Sequence, residues 1–441
     1  MVLTTFGSFG DVHPYIAIAI ELKSRGHRPL LVTSEIYREK IESEGIDFAP
    51  MRPDLPSKDD PEQVAEMVRK VMDTEKGIEF LIKDLLMPAL RAGYEDLSRA
   101  TEGADLLLTH PITYAGPLVA EKKELPWASS VLAPASFFSA YDPMVPPTMP
   151  WLIKLRALGP LPFKAFKALV NRMTKGWMEP VASLRAELSL PPAPNPIFEG
   201  QHSPSLVLAL FSSLLGEPQA DWPPQTRVTG FPFYDRRDET VEGQGLSPEL
   251  QEFLDAGPLP VIFTLGSSAI WVAGDFYRES INAAKALGQR ALLLLGGERN
   301  KLAGELPEGI AAFEYAPYGK LLPRASVIVH QGGVGTTGQA LRAGRPMLVV
   351  PFNHDQPDNA MRVTRLGVAR TITRNDYKSA RVERELSLLL NEKSYAERAA
   401  AVGQQVQSEN GAGAAADALE GLLVQTVRRT DEGELSYAAG H

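Results

Sequence analysis

The sequence predicts an α/β protein made of two doubly wound, Rossmann-like parallel-sheet domains facing each other across a cleft. Three observations carry this. The chain has 441 residues, too many for one ordinary core. Short β-rich apolar runs alternate with helical stretches through both halves, the pattern of parallel strands joined by helices. The alternation breaks over a proline-dense stretch at 141–200 and again at a polar run, "FYDRRDETVEGQGLS", at 233–247.

In order, "VLTTF" is a strand, Gly7 to Gly10 a turn, and "PYIAIAIELKSRG" a helix from Pro14. "RPLLVTS", "ADLLLTH", "PWASSVLAP", "SLVLAL" and "RVTGFP" continue the strands of a first domain over 1–232, with 141–200 as a helical insertion. The polar run at 233–247 reads as the linker. "LPVIFTLGS", "RALLLLGG", "ASVIVHQGG" and "RPMLVVPF" give a second domain over 248–412, and 413–441 a C-terminal helix crossing back to the first. Doubly wound sheets bind ligands at the carboxyl ends of their strands, which places a ligand between the domains.

Composition excludes several classes. Hydrophobic residues at 44% and charged residues at 22% are those of a soluble globular protein. With 45 basic and 54 acidic residues the net charge is −9, which argues against a general nucleic-acid binder. The absence of cysteine removes disulfides, thiolate metal sites and cysteine nucleophiles. No apolar run is long enough to span a bilayer, and the first residues lack the basic start and apolar stretch of a signal peptide, so a cytoplasmic protein is expected.

Two loops in the second domain point to an anion. "ASVIVHQ" reads as a buried strand, "GGVGTT" as a glycine turn and "GQALRAG" as a helix ended by Gly344. A strand, a bare turn and a helix N-terminus favour phosphate, with Gly333 and Gly335 allowing close approach and Thr336 and Thr337 adding hydroxyls. Ser267, after "VIFTL", is a further phosphate donor from a loop facing the same crevice. The spacing is neither a Walker loop nor a dinucleotide G-x-G-x-x-G, and an NAD-dependent oxidoreductase would leave 330–359 unexplained. In the first domain, "TTFGSFGDVHP" offers two bases, Asp11 and His13, although Asp11 also suits a helix cap.

The segment "YAPYGKLLPRASVIVHQGGVGTTGQALRAGRPMLVVPFNHDQPDNA" resembles the donor-binding motif of family 1 glycosyltransferases of GT-B fold, near the bacterial macrolide, glycopeptide, sterol and rhamnolipid type; "GSFGDVHP" resembles their N-terminal motif. The resemblance implies residue roles. Tyr315 stacks on the nucleotide base and the Ala316 backbone bonds it. Gln339 holds the ribose. Gly333, Gly335, Thr336 and Thr337 surround the diphosphate, and Asp355 with Gln356 holds the sugar hydroxyls; read from the residues themselves, Gly10, Ser267 and Gln331 are added to the donor contacts. Asp11 is the base. His13 either replaces it, orients it or lines the acceptor pocket. Gln331 stands where relatives carry histidine, which leaves His330 as a packed strand residue.

The expected activity is an inverting transfer of a hexose from a UDP- or dTDP-sugar to a hydroxyl, without cofactor and, since no D-x-D occurs, without metal. The alternative is a GT-B shell that binds nucleotide or hydrophobic ligand without turnover. Phe9, His13, Phe137, Phe138, Met144 and Met149 are expected to form an apolar acceptor wall. The stretch 151–178 holds six Lys or Arg, no acid, and several aromatics and methionines, which fits a greasy lid able to touch an anionic membrane surface.

Overall fold

The computed structural model describes residues 1–57, 59–235, 245–297, 300, 302 and 304–438. Most of the 233–247 linker, and the last three residues, lie outside the described residues.

The first sheet contains β1 (Val2–Thr4), β2 (Leu30–Thr33), β3 (Asp47–Pro50), β4 (Leu107–Thr109), β5 (Trp127–Val131), β6 (Val207–Ala209) and β7 (Thr226–Val228). Their order is β3-β2-β1-β4-β5-β6-β7, and every pairing is parallel. The second sheet contains β8 (Val261–Phe263), β9 (Ala291–Leu294), β10 (Ile310–Phe313), β11 (Val327–His330), β12 (Met347–Val349) and β13 (Ala369–Thr371), ordered β10-β9-β8-β11-β12-β13 and again all parallel. Continuous Val, Ile and Leu in the central strands reflect burial on both faces, as parallel sheets covered by helices require. Strand order reverses beside β1 in one sheet and beside β8 in the other. The loops after β1 and β4, and after β8 and β11, therefore flank the two switch points.

One helix start differs from expectation. The first helix is Phe9–Ser24, with Pro14 inside it and Ser8 as its N-cap. The capping chemistry of Ser8 and Asp11 starts the helix five residues before the proline.

Several contacts join the halves. Val68 and Met72, at the end of the Pro61–Val71 helix, pack in the core of the second domain, and Asn353 Nδ2 donates to Asp73 O at 2.8 Å. The helix Gly411–Ala438 packs on Phe9–Ser24, placing Ala415, Leu419 and Leu422 among Val12, Ile16 and Ala19. Arg25 bonds Asp417 at 2.5 Å and Glu420 at 2.9 Å on the rim of that contact.

Candidate active site

The first switch point centres on Asp11. Ser8 Oγ accepts from Gly10 N at 3.2 Å, and Asp11 Oδ2 accepts in return from Ser8 N at 2.7 Å. This reciprocal cap fixes the carboxylate at the mouth of the helix and uses the Gly10 N–H internally. Gly7 has φ +133°, and a Cβ there would lie 2.3 Å from Asp11 Oδ2, so only glycine leaves room for the carboxylate.

Asp11 Oδ1 lies 3.6 Å from His110 Nε2, just after β4. His110 Nδ1 accepts from Ile112 N at 3.4 Å, so its proton sits on Nε2, toward Asp11. The ring is buried and meets Tyr15 edge-on at 5.9 Å. His110 had no sequence signal beyond ending the run "ADLLLTH"; only the neighbouring strand places it beside Asp11. An apolar recess lined by Phe6, Met51, Leu86, Leu90, Ile112 and Tyr114 borders the same loop.

His13 does not join this pair. It lies about 200° further round the helix than Asp11. There it packs against Phe9 at 5.1 Å and Tyr234 at 4.9 Å between ring centroids.

At the second switch point, Gly266 has φ +63°. A Cβ there would meet Gln331 Nε2 at 2.4 Å and Thr336 Oγ1 at 3.3 Å, so the loops after β8 and β11 touch through bare backbone. Ser267 is exposed beside them. The Val334–Ala343 helix starts at this point with Gly333 as its N-cap and Gly335 exposed. Thr336 is nearly enclosed. Thr337 is wholly enclosed, which corrects its expected exposure to a diphosphate: at the fourth helical position it faces the protein. Gln331 Oε1, Thr337 Oγ1 and Asn359 Oδ1 are buried without a hydrogen-bond partner. Buried polar atoms are ordinarily bonded; Thr337 faces the protein, but Gln331 and Asn359 lie against the glycine loop and leave capacity there for a polar ligand. His330 is a packed strand residue. Its Nδ1 accepts from Gly332 N at 3.1 Å, and burial pushes its pKa down to about 3.

Asp355 faces Asp11 across the cleft. Its Oδ2 accepts from Asn359 Nδ2 at 2.7 Å and from Val334 N, at the start of the glycine-loop helix, at 3.3 Å. Burial pushes its pKa up to about 7; the Asn359 bond opposes this and the Asp11 charge adds to it. A carboxyl raised in the folded state supports stability below its unfolded pKa, and that support is lost as pH rises through the folded pKa. Asp355→Asn is therefore expected to match the parent in denaturant unfolding near pH 4 and to become the more stable of the two by pH 8. A stability gap that does not grow with pH would contradict this.

Gln356 is buried, and its Oε1 accepts from Phe352 N at 2.8 Å and Asn353 N at 3.3 Å. The carbonyl end thus closes its own turn, which corrects the expectation that the whole amide reads a ligand. Gln339 Nε2 donates to Asp235 Oδ1 at 3.0 Å and its Oε1 accepts from Arg342 at 2.7 Å, so it too is engaged. Tyr315, just after β10, is 40% exposed, while the Ala316 side chain is in the core.

The expected acceptor wall is redrawn. Phe137 stacks on Trp222 at 3.9 Å and lies in the core, because β5 and β6 enclose it. Phe138 packs on Phe198 at 4.7 Å, and Met144 and Met149 are half-buried in the insertion.

The insertion is pinned to the second domain. Arg362, 1% exposed, bonds Asp142, Asp358 Oδ2 at 2.7 Å and Leu215 O at 2.7 Å, while Asp358 Oδ1 accepts from Val145 N at 3.2 Å. Arg362 and Asp358 lie on the Gln356–Arg365 helix, whose N-cap is Asp355.

Two doubly wound domains whose switch points meet, one bearing a capped carboxylate and the other a glycine-bounded helix start, define a GT-B glycosyltransferase. The chain belongs to family 1 of these enzymes. Residues 1–132 match the glycosyltransferase family 28 N-terminal domain, and 279–422 match the erythromycin biosynthesis protein CIII-like C-terminal domain. The O-mycaminosyltylonolide 6-deoxyallosyltransferase of Streptomyces fradiae is 30% identical over 93% of this chain and 94% of its own length. The sterol 3-beta-glucosyltransferase of Aspergillus terreus is 29% identical over 94% of the chain, which spans 29% of that longer protein. Among solved structures, the calicheamicin glycosyltransferase CalG4 superposes with TM-score 0.69 at 19% identity, covering 96% of this chain and 98% of its own. The glycosyltransferase VinC in complex with dTDP superposes with TM-score 0.67 at 19% identity, covering 96% and 99%.

Proposed function

We propose that the protein transfers a hexose from a nucleoside diphosphate sugar to a hydroxyl of a hydrophobic acceptor, with inversion and without a metal. The observation that carries this reading is Asp11, set by its cap at one switch point and facing the glycine loop at the other. The acceptor hydroxyl gives its proton to Asp11 Oδ1 as its oxygen attacks the anomeric carbon. The bond to the diphosphate breaks on the opposite face of the sugar, and one displacement with no enzyme nucleophile inverts the anomeric centre. His110, with Nε2–H directed at Oδ1, positions the carboxylate. The leaving diphosphate is received by the Gly335 and Thr336 N–H groups at the start of the Val334–Ala343 helix, with Ser267 and the Thr336 hydroxyl beside them.

We read the acceptor as hydrophobic; the recess on the His110 loop, only about 30 Å³, does not hold one as it stands. The relatives' names fit this reading: a tylonolide glycoside and a sterol are both largely apolar. The donor is a UDP- or dTDP-sugar, and VinC carries dTDP.

Calorimetry with UDP and dTDP, followed by turnover of the matching sugar nucleotides on a generic phenol and a sterol, tests the reading. Nucleotide binding without turnover on any acceptor would favour a binding protein instead. Gln356→Glu keeps the oxygen that closes the 352–356 turn but loses the amide donor. It is expected to cut nucleotide-sugar use by about tenfold, the scale of one lost hydrogen bond, with little change in affinity for the free nucleotide. Equal loss for both ligands would contradict a sugar-facing amide.

A further inference from the structure

We propose that the outer face of the Leu161–Thr174 helix, with Trp151 and Leu158 beside it, docks on an anionic lipid bilayer. The argument starts from which face of this helix is wet. Phe163 and Thr174 are buried, and Phe166 packs with Phe163, Leu152 and Ala140 in a small core of the insertion's own. The helix has therefore already buried an apolar side. Its opposite side carries Leu161, Ala165, Ala168, Leu169 and Met173 at helical spacing, all exposed. Leu161 is 73% exposed, Met173 68% and Leu169 56%, and the adjoining Leu158 and Trp151 are 68% and 56% exposed.

An amphipathic helix with a solvated basic face would turn these residues inward. Here six of the ten exposed large hydrophobic residues of the described chain fall between Tyr141 and Met173. Such concentration marks an interaction surface and not scattered exposure.

Charge chooses the partner. Lys154, Lys164, Arg172 and Lys175 surround this face, all exposed, and pair with no carboxylate among the described residues. Of the other two cations in the segment, Lys167 meets Glu199 at 2.8 Å and Arg156 meets Asp142 at 3.3 Å. Four uncompensated cations gather on one face of a chain whose net charge is −9. A second copy docked through the same face would set these cations against their own kind. A bilayer with anionic headgroups accepts both parts. The leucines and Met173 enter the headgroup–acyl boundary while the lysines and Arg172 reach back to the phosphates. None of these residues belongs to either switch point, so the proposal does not rest on the transfer reaction.

The test is co-sedimentation of the full chain with vesicles of phosphatidylcholine alone and of phosphatidylcholine mixed with phosphatidylglycerol, at low and high salt. Binding is expected only to the anionic vesicles, with partitioning weaker by about tenfold or more at high salt. Leu161→Gln/Leu169→Gln/Met173→Gln and, separately, Lys164→Glu/Arg172→Glu are each expected to abolish it. Both should leave the melting temperature and nucleotide affinity unchanged, since no altered side chain is buried. Failure of the parent to bind anionic vesicles at low salt would overturn the proposal, as would undiminished binding by either variant. Concentration-dependent dimerisation lost in the triple variant, with no vesicle binding, would reassign the face to self-association.

Discussion

Asp11→Asn is expected to lower turnover by about 10²–10⁴-fold while leaving nucleotide affinity and the melting temperature close to those of the parent. Structure supplies the reason the fold survives. Asp11 accepts from Ser8 N and Ser8 Oγ through a single oxygen, at 2.7 and 3.1 Å, and an asparagine carbonyl can accept both. What is lost is the other oxygen's capacity to take a proton. His110→Ala provides the companion measurement. If His110 only fills space, its removal changes stability and leaves the pH–rate profile in place. If it positions Asp11, turnover falls, the profile shifts, and His110→Gln, which keeps a donor near the same place, recovers part of the loss. Asp11→Asn turnover within a few-fold of the parent would remove Asp11 as the base, and with it the role given to His110.

The residues legible in the sequence were those whose chemistry is local. The strands of both sheet interiors were readable because burial on both faces writes an unbroken apolar run, as in "VIVH" and "LLLL". The strands that escaped reading, β3, β10 and β13, are all sheet edges, and each is partly exposed: "DFAP" has exposed ends, no fully buried residue and a proline. An edge strand takes its identity from the neighbour it pairs with, and that neighbour is far away in sequence.

The same division holds in the site. Asp11 and the glycine loop lie within short motifs and could be read directly. His110 could not, because its place beside Asp11 exists only once β1 and β4 become neighbours at the switch point. His13, which the sequence also offered as a base, is kept from Asp11 for a local reason. The helix begins at Phe9 and not at Pro14, which turns His13 away from Asp11 toward Tyr234. Gln356 and Gln339 show a further limit. Their positions match a donor-binding pattern, yet hydrogen bonds to Phe352, Asn353, Asp235 and Arg342 claim much of their polar capacity, and no motif records such partners.

Arg362→Met is expected to be the most destabilising single change, by about 3–5 kcal/mol, because it strands the buried Asp358 carboxylate and leaves Asp142 with only the longer contacts to Arg156 and Arg365. Asp142 and Asp358 are 7% and 0% exposed; the guanidinium between them is the cation paired with Asp358 among the described residues, and the closest of three paired with Asp142. Burial acts against ionisation of Asp142, yet Arg362 and Arg365 hold its carboxyl below the ordinary range; burial leaves that of Asp358 raised in spite of Arg362. Replacing all three, Arg362→Met with Asp142→Asn and Asp358→Asn, removes the charges together and is expected to cost less than the single change. The arrangement also has a functional side. Asp142 belongs to the first domain's insertion, while Arg362 and Asp358 sit on the helix capped by Asp355. The network therefore ties the acceptor-side loop to the donor-side carboxyl, and the triple variant should lose turnover even where stability is regained. Denaturant unfolding and turnover measured on both variants decide the matter. A single variant destabilised by less than about 1 kcal/mol, well under the cost of an unpaired buried charge, would show that water reaches these carboxylates. A triple variant with parental turnover would show that the network holds the two domains together without bearing on catalysis.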